Sequence, residues 1–367
     1  MTPCEGALLM KALGRVVAKG SGGAGGGAAR EVYAALDLGT NNCRLLIAIP
    51  DGDSFRVLDS FSRTVRLGER LGETNTLSPE AIQRAVDAVK ICVQKMKKAG
   101  VTRSRAIATA ACRAAKNGPQ CIERIKADTG IAFEIVSPEE EAKLAVAGCA
   151  PLLDPSRDSA LVFDIGGGST ELVWVRIDGG KTPKIAFWAS APMGVVTLAE
   201  RHGGSHLPSR AFPAMEADAI ETLRAIGPKP EELGAAQSMH MIGTSGTVTT
   251  IAGVQLGLKR YDRTKVDGVW LDLLAAERVI ERLSKLDYQG RVAEPCVGSD
   301  RADLVLSGCA IFSAIAKLWP CEKLRVADRG LREGILLALM RQAERRNRNR
   351  RRRRRRRARL SSAAPVA

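Results

Sequence analysis

The chain has 367 residues, of which 45% are hydrophobic, 26% charged and 4% aromatic. This length is sufficient for two domains that each bury a core, and the apolar content excludes an intrinsically disordered protein. No stretch approaches the roughly 20 uninterrupted apolar residues that a membrane-spanning helix requires. Lys11 and Arg15 follow the short apolar run Gly6–Met10, so we expect neither a membrane span nor a secretory signal.

The formal net charge is +16, and most of it lies in one segment. Residues 341–359 contain thirteen arginines and one acid, Glu344, and account for +12 of the total. The rest of the chain is therefore nearly neutral. Nine cysteines are scattered without a C-x-x-C pair, and only three histidines accompany them. This usage argues against a zinc site or a disulfide framework and favours a reducing compartment, the cytoplasm.

The predicted elements begin near Glu31, because residues 1–30 end in a glycine-rich linker that has nothing to pack. Ser78 and Pro79 form a helix-start signal ahead of an amphipathic stretch. The predicted helices of the first half are Ser78–Lys98, about 119–128 and Pro138–Ala150. Its predicted strands are Val32–Asp37, Cys43–Ile49, Ser54–Ser62, Ser104–Ala110 and Ala132–Val136.

The same pattern restarts after a polar break at Pro151–Asp158. The predicted strands there are Ala160–Asp164, Glu171–Ile177, Lys184–Ser190 and Ser238–Gly243. The predicted helices are Val195–Arg201, Pro208–Ile226 and further helices to about residue 345. The motifs Asp37-Leu38-Gly39-Thr40 and Asp164-Ile165-Gly166-Gly167 lie 127 residues apart, each at a strand end. We therefore predict an α/β protein of two similar lobes, residues 31–152 and 158–340, whose glycine turns face a shared cleft.

The strongest motif is the glycine turn Gly166–Ser169 between two predicted strands. Because glycine lacks a Cβ atom, the backbone N–H groups of this turn can converge on an anion. Asp164 at the strand end supplies a carboxylate that can hold a hydrated Mg²⁺. The alternative is a β-hairpin whose glycines merely turn the chain. A P-loop is excluded, since the spacing is not G-x-x-x-x-G-K-[ST] and no helix follows directly.

The turn Gly39–Asn42 occupies the same position in the first half and adds hydroxyl and amide donors. Arg44 begins the next strand, where its burial would be costly without an anionic partner. One such turn alone is a weak signal. Two copies, each at the head of an α/β half, indicate a paired phosphate-binding site.

These paired turns resemble the phosphate loops of the actin, Hsp70 and sugar-kinase superfamily, and in particular its exopolyphosphatase and guanosine pentaphosphate phosphatase family. The matching stretches occur in family order and are Ala35–Ile47, Arg66–Gly68, Thr109–Arg113, Ser137–Ala142, Phe163–Leu172, Ile242–Thr247, Arg301–Asp303 and Arg325–Gly334. The resemblance is to the short members of the family. It implies two actin-like (ribonuclease H-like) lobes and a phosphate-releasing hydrolase that uses Mg²⁺ or another divalent cation.

The catalytic carboxylate that the resemblance implies is Glu140, which precedes Glu141 and Ala142. Spacing alone favours a structural role, since Ser137-x-x-Glu140 is a capping box and the acids complement the helix dipole. Pro138 stands where the family commonly has glycine, so the register can slip by one residue. Glu141 is therefore the second candidate.

The resemblance assigns the other site residues by motif. Asp164 and Glu171 are implied to join Glu140 in catalysis and, with Asp37, to hold the cation and its waters. The residues implied to bind substrate phosphates are Gly39, Thr40, Asn41, Asn42, Arg44, Arg66, Arg113, Gly166, Gly167, Gly168, Ser169, Gly246 and Thr247. An exposed arginine and a solvated strand carboxylate are the structural alternatives for Arg66 and Glu171.

We therefore expect an enzyme that removes terminal phosphate from inorganic polyphosphate by in-line attack of a carboxylate-oriented water. Three alternatives stay open: hydrolysis of guanosine pentaphosphate (pppGpp), a sugar kinase with the same lobes, and a polyanion-binding scaffold. The arginine-rich tail, residues 341–367, is predicted to be disordered because like charges repel. It offers non-specific contact with nucleic acid, an acidic surface or polyphosphate. The oligomeric state, monomer or homodimer, is left open.

Overall fold

The computed structural model describes residues 31–52, 54–177, 183–204, 206–228, 239–299 and 301–362. The predicted glycine-rich extension, residues 1–30, and the last five residues of the predicted tail lie outside this range. The described residues form two mixed β-sheets flanked by helices. This arrangement confirms the predicted α/β class with two similar lobes.

Five strands of the first half form the first sheet. They are β1 (Tyr33–Leu38), β2 (Asn42–Asp51), β3 (Ser54–Thr64), β4 (Arg103–Ala108) and β5 (Glu134–Ile135). Their order across the sheet is β3-β2-β1-β4-β5. β1 pairs antiparallel with β2 through a short turn and parallel with β4 through a helical crossover, as each type of pairing requires.

Six strands of the second half form the second sheet. They are β6 (Ser159–Ile165), β7 (Thr170–Arg176), β8 (Lys184–Ala191), β9 (Met239–Thr244), β10 (Trp270–Asp272) and β11 (Lys323–Ala327). Their order is β10-β11-β9-β6-β7-β8. β6 pairs antiparallel with β7 and parallel with β9, so the second half repeats the arrangement of the first around its opening hairpin.

Strands β10 and β11 correct the expectation that only helices follow Gly243. β10 has three residues, which is too short for a periodic pattern to be visible in the sequence. β11 is covered by its neighbours, because it pairs parallel with β9 and antiparallel with β10. Its alternate residues Leu324 and Val326 are fully buried.

Helices cover both sheets. Those of the first half are α1 (Leu71–Thr74), α2 (Pro79–Lys98), α3 (Ala110–Ala114), α4 (Gly118–Thr129) and α5 (Pro138–Cys149). Those of the second half are α6 (Val195–Arg201), α7 (Phe212–Ile226), α8 (Ser245–Gln255), α9 (Arg263–Val266), α10 (Leu273–Lys285), α11 (Tyr288–Ala293), α12 (Val305–Leu318) and α13 (Leu331–Ser362). In the part of the chain that the structure describes, no helix is long and apolar enough to cross a membrane.

Local signals in the sequence explain where the helices begin. The Ser78 hydroxyl accepts a hydrogen bond from the Ala81 N–H at 3.1 Å, and Pro79 occupies the first turn. This capping satisfies a backbone donor that the first turn leaves unpaired. Ser137 begins α5 in the same way, with its hydroxyl accepting from the Glu140 N–H at 3.2 Å. Both predicted helix starts are confirmed.

The last helix joins the two halves. α13 follows β11 of the second sheet but packs on the first sheet, where its apolar residues share a core with β1, β2 and α5. The helix contributes Ile335, Leu336, Met340 and Ala343 to this core, and the first half contributes Tyr33, Leu46, Ile107 and Leu144. The hydrophobic effect therefore holds this part of α13 against the first lobe, although the helix follows the last strand of the second.

The arginine-rich tail was predicted to be disordered from residue 341, but α13 continues through it from Leu331 to Ser362. Met340 and Ala343 are buried, so packing holds the helix up to the start of the arginine-rich segment. Arginine has a helix propensity close to those of leucine and lysine. Extending a nucleated helix costs less free energy than starting a new one, and this difference explains the continuation through residues 341–362.

Candidate active site

A cleft of about 650 Å³ lies between the two sheets. Its walls are the turns of the β1–β2 and β6–β7 hairpins, the junction of β9 with α8, and the start of α13. The shared cleft was predicted from the two glycine turns, and the structure places both turns there.

The first hairpin presents one acid and one base to the cleft. The Gly39 N–H donates to the Asn42 carbonyl at 2.9 Å and closes the turn, and Asp37 lies directly opposite Arg44 in the ladder. Burial raises the pKa of Asp37, while the charges of Arg44 and Arg332 act against that rise. Within this hairpin, the positive charge of Arg44 therefore partly offsets the negative charge of Asp37.

The second hairpin presents two acids. The Gly166 N–H donates to the Ser169 carbonyl at 2.9 Å, and Asp164 lies opposite Glu171. Burial, with the neighbouring charge of Glu171, raises the pKa of Asp164 to about 7. Burial also raises the pKa of Glu171, although the hydroxyls of Ser169 and Ser190 donate to its Oε1 at 2.7 and 3.0 Å.

The two turns approach each other across the cleft. A Cβ atom on Gly167 would lie 2.9 Å from Thr40 Cβ, and one on Gly168 would lie 2.6 Å from Thr40 Oγ1. The glycines are therefore required for contact between the lobes as well as for access to an anion. Thr40 Oγ1 and Asn41 Oδ1 are buried without a hydrogen-bond partner, which is costly unless a ligand completes them.

Of the two candidate catalytic carboxylates, the second, Glu141, lines the cleft, and the first, Glu140, does not. Glu140 lies outside the cleft and forms an ion pair with Arg105 at 3.3 Å. Glu141 lines the cleft, is 8% exposed, and accepts from Arg113 Nη1 at 3.1 Å. Burial and the charge of Glu171 raise the pKa of Glu141 well above its usual value. Consecutive residues point about 100° apart on a helix, so only one of the two can face the cleft.

Two predicted phosphate ligands, Arg113 and Arg66, are outside the lining of the cleft. Arg113 donates to the Val136 carbonyl at 2.9 Å and to Glu141, so it supports the carboxylate. Arg66 forms an ion pair with Asp303 at 2.7 Å and thereby links the two halves of the chain. Both side chains are already bound to protein groups.

The remaining predicted residues are brought together as expected. Those that line the cleft are Asp37, Gly39, Thr40, Asn41, Asn42, Arg44, Asp164, Gly166, Gly167, Gly168, Ser169, Glu171, Gly246 and Thr247. Gly246 and Thr247 belong to the first turn of α8, whose free N–H groups favour an anion. Ser245, just before them, has a left-handed φ of 84° and donates from its hydroxyl to the Ile165 carbonyl at 2.7 Å.

The sequence prediction missed several basic residues of the cleft. Arg301, Arg329 and Arg332 line it, although the stretches Arg301–Asp303 and Arg325–Gly334 were singled out as motifs. Arg301 donates to Thr250 Oγ1 at 2.6 Å. Because all three arginines lie within those two stretches, the motifs themselves could have identified them.

Acidic residues of the cleft supply the oxygen donors that a divalent cation needs. Burial raises the pKa values of Asp37, Glu141, Asp164 and Glu171, and mutual repulsion adds to the rise at Glu141 and Asp164. A cation would offset this repulsion, because it favours the ionised forms. Among the described residues no group of three or more Asp, Glu, His or Cys side chains is arranged to hold an ion alone. The site fits Mg²⁺ bound through one or two carboxylates, with water and substrate phosphate as its other ligands.

Several known proteins are similar to this chain in sequence and fold. A model of the Ppx/GppA phosphatase family matches residues 46–343. An exopolyphosphatase-like protein of solved structure is 28% identical, with a TM-score of 0.75 over 84% of this chain and 97% of that chain. The Aquifex aeolicus member of the Ppx/GppA family is 27% identical, with a TM-score of 0.66 over 84% and 97%. An exopolyphosphatase from Cytophaga hutchinsonii is 25% identical, with a TM-score of 0.74 over 83% and 96%.

Proposed function

The chain belongs to the Ppx/GppA phosphatase family and is a hydrolase of phosphoric anhydrides, and on that premise we propose that it removes the terminal phosphate of inorganic polyphosphate. Two of the similar solved structures are described as an exopolyphosphatase or as exopolyphosphatase-like, which supports this substrate class.

The composition of the cleft is the observation that carries the proposal. The described residues that line it include two glycine turns, five arginines and no aromatic side chain. A linear phosphate chain needs only anion-binding groups. A guanine base is commonly stacked on an aromatic ring, and the described lining offers no ring for stacking. The cleft therefore favours polyphosphate over guanosine pentaphosphate.

The two hairpin turns and the nearby arginines bind the substrate phosphates. Backbone N–H groups of Thr40–Asn42 and Gly167–Ser169 hold the terminal phosphates, whereas those of Gly39 and Gly166 close the turns. The first turns of α8 and α13 add their free N–H groups. Arg44, Arg301 and Arg332 balance the charge of the chain. The Thr40 hydroxyl can donate to a phosphate oxygen that enters, and Asn41 Oδ1 can accept from a water bound to that phosphate. Together these groups hold the terminal phosphorus in one orientation for in-line attack.

Glu141 orients and deprotonates the attacking water. Arg113 holds one of its carboxylate oxygens in place, and its raised pKa makes it a better proton acceptor than an exposed glutamate. As the water oxygen bonds to the terminal phosphorus, its proton passes to Glu141, and the P–O bond to the rest of the chain breaks. A divalent cation held through Asp164 or Glu171 supplies positive charge that offsets the charge on the transferred and leaving phosphates.

A direct test is phosphate release from long polyphosphate and from guanosine pentaphosphate, measured side by side with Mg²⁺. We expect the larger kcat/KM for polyphosphate. A larger value for guanosine pentaphosphate would transfer the assignment to that substrate, and no release from either would favour the scaffold function.

The catalytic assignment is tested with a matched pair of variants on one helix. Glu141→Gln should lower kcat by roughly 10²–10⁴-fold, the usual contribution of a general base. Glu140→Gln removes an equal charge one residue earlier and should leave kcat within about twofold of the wild type, because Glu140 is bound to Arg105 outside the cleft. The opposite ranking of the two variants would return the role to Glu140.

A further inference from the structure

The helix α13 connects the active-site cleft with the most basic segment of the chain. Its first residues, Leu331, Arg332 and Glu333, line the cleft. The same helix ends at Ser362 and contains the eight consecutive arginines Arg350–Arg357. One continuous helix therefore connects the lining of the cleft with the arginine run.

Burial along α13 shows where the helix leaves the folded body. Ile335, Leu336, Met340 and Ala343 are buried against the first sheet. Glu344, Arg345, Arg346, Arg348 and Asn349 are exposed. The packed part thus holds the helix in a fixed direction, and the side chains described between Glu344 and Asn349 are exposed.

Helix geometry sets the distance between the two ends. At about 1.5 Å per residue, Arg350 lies roughly 28 Å along the axis from Leu331 and Arg357 roughly 39 Å. Residues 341–359 carry a local charge of +12, whereas the rest of the chain is nearly neutral. The protein therefore concentrates its positive charge at a set distance from the cleft.

We propose that the arginine-bearing part of α13, residues 345–359, is a docking surface for the distal part of a long polyphosphate chain whose end occupies the cleft. This inference rests on the proposed polyphosphatase function. Charge complementarity supports it, because adjacent like charges on a helix repel one another and a bound polyanion offsets that repulsion. The start of α13 lines the cleft, and the density of arginines along the helix increases with distance from that end.

A chain-length threshold follows from this geometry. A short polyphosphate that fills the cleft cannot reach Arg350, so its binding is independent of the arginine run. A chain that spans the roughly 28 Å gains a second contact, and the second binding event becomes intramolecular. Both contacts exist before and during bond cleavage, so the arginine run should lower KM without changing kcat.

The experiment compares three full-length proteins: the wild type, a variant with all eight residues of Arg350–Arg357 replaced by Gln, and a variant with the same eight replaced by Lys. Gln has a helix propensity close to that of Arg, so the first variant removes charge and keeps the tendency to form helix. The Lys variant keeps the charge and is the matched control. Each protein is assayed with a series of polyphosphate lengths at about 0.05 M and 0.3 M salt.

We expect the Gln variant to raise KM for long polyphosphate about tenfold at the lower salt concentration, and less at the higher one. Its kcat, and its KM for the shortest chains, should match the wild type. The Lys variant should retain most of the affinity. Equal KM values for wild type and Gln variant at every chain length would overturn the proposal.

A binding measurement without turnover separates this proposal from the proposed function. Long polyphosphate and an RNA duplex of equal phosphate number are titrated against the wild type and the Gln variant. Tighter binding of long polyphosphate by the wild type supports the docking surface even if the enzyme acts on another substrate. Tighter binding of the RNA duplex than of polyphosphate would assign the surface to nucleic acid and overturn the proposal.

Discussion

The two opening hairpins of the molecule have the same backbone but different charges. Each places an acid at the end of its first strand, Asp37 or Asp164, and a second charged residue directly opposite. In the first hairpin that residue is Arg44, and in the second it is Glu171. The paired positions are 127 residues apart in both cases, so the fold is repeated while the chemistry is not.

On the proposed function, this difference gives the two hairpins different roles. The first hairpin pairs an acid with a base and can bind phosphate without a large charge penalty. The second buries two acids side by side, and burial together with the charge of Glu171 raises the pKa of Asp164 to about 7. We therefore propose that the first hairpin serves the substrate and the second serves the cation that accompanies it.

The largest loss of activity among these tests is expected when Glu171, the second acid of the second hairpin, is replaced. Glu171→Gln makes the second hairpin singly charged and should lower kcat roughly 10²–10³-fold, the scale seen when one preorganised electrostatic group is lost. Steady-state phosphate release at saturating Mg²⁺ measures this change. Ser190→Ala is the control: it removes one of two hydroxyl donors to Glu171 and should lower kcat less than tenfold. Equal activity of Glu171→Gln and wild type would remove Glu171 from the mechanism.

The two glycine turns should differ in how much activity they retain when one glycine is replaced by alanine. A Cβ atom on Gly167 meets Thr40 Cβ at 2.9 Å and Asn41 N at 3.2 Å, whereas one on Gly39 meets nothing closer than 3.5 Å. Gly167→Ala should therefore push the lobes apart and lower kcat/KM about tenfold or more, since small misplacements at a reaction centre are costly. Gly39→Ala should stay within about threefold of wild type. Thermal unfolding of both variants should remain cooperative, and similar kinetic losses in the two would refute the difference.

The smallest expected effect concerns the free energy of unfolding of the metal-free protein, which should depend differently on Asp164 and on Asp37. Folded Asp164 has a pKa of about 7, whereas an unfolded aspartate titrates near about 3.9. Between these values the folded state keeps a proton that the unfolded state has lost, so the free energy of unfolding falls as pH rises from about 4 to 7. Asp164→Asn removes this loss and should be more stable than wild type above pH ~7, by a few kcal/mol.

The measurement for this prediction is chemical denaturation with a chelator present, at pH values on both sides of the window. The difference between Asp164→Asn and wild type should vanish near pH ~4, where the aspartate is protonated in both states. Asp37→Asn is the comparison, and its gain should be smaller because Arg44 lies opposite Asp37. A gain that is independent of pH would contradict the role of ionisation.

Local sequence signals were sufficient for the repeated hairpins, the capped helix starts at Ser78 and Ser137, and the glycine turns and strand-end acids that line the cleft. These features depend on neighbours close in the chain: glycine at a turn, a hydroxyl three residues before its N–H partner, and apolar residues at helical spacing. The order of motifs then indicated the two-lobed fold.

Tertiary packing alone decided which glutamate faces the cleft. The capping box places Glu140 at the third position of α5 but does not say which of Glu140 and Glu141 faces the cleft, so the rotation of α5 about its axis determines the outcome. That rotation is fixed by α13, because a Cβ atom on Gly148 would collide with the Gly330 carbonyl and one on Gly334 with the Leu144 carbonyl. Two helices this close have one compatible orientation, and residues almost 200 positions apart set it.

The α/β class, the pair of glycine turns and the acids at their strand ends were predictable from the sequence, because turns and hydrophobic periodicity are patterns of residues close together in the chain. Strands β10 and β11, the ion pair that holds Arg66 outside the cleft and the support that Arg113 gives to Glu141 depend on the tertiary structure. In each of these three cases the deciding partner lies farther away in the chain, and local propensity carries no information about it.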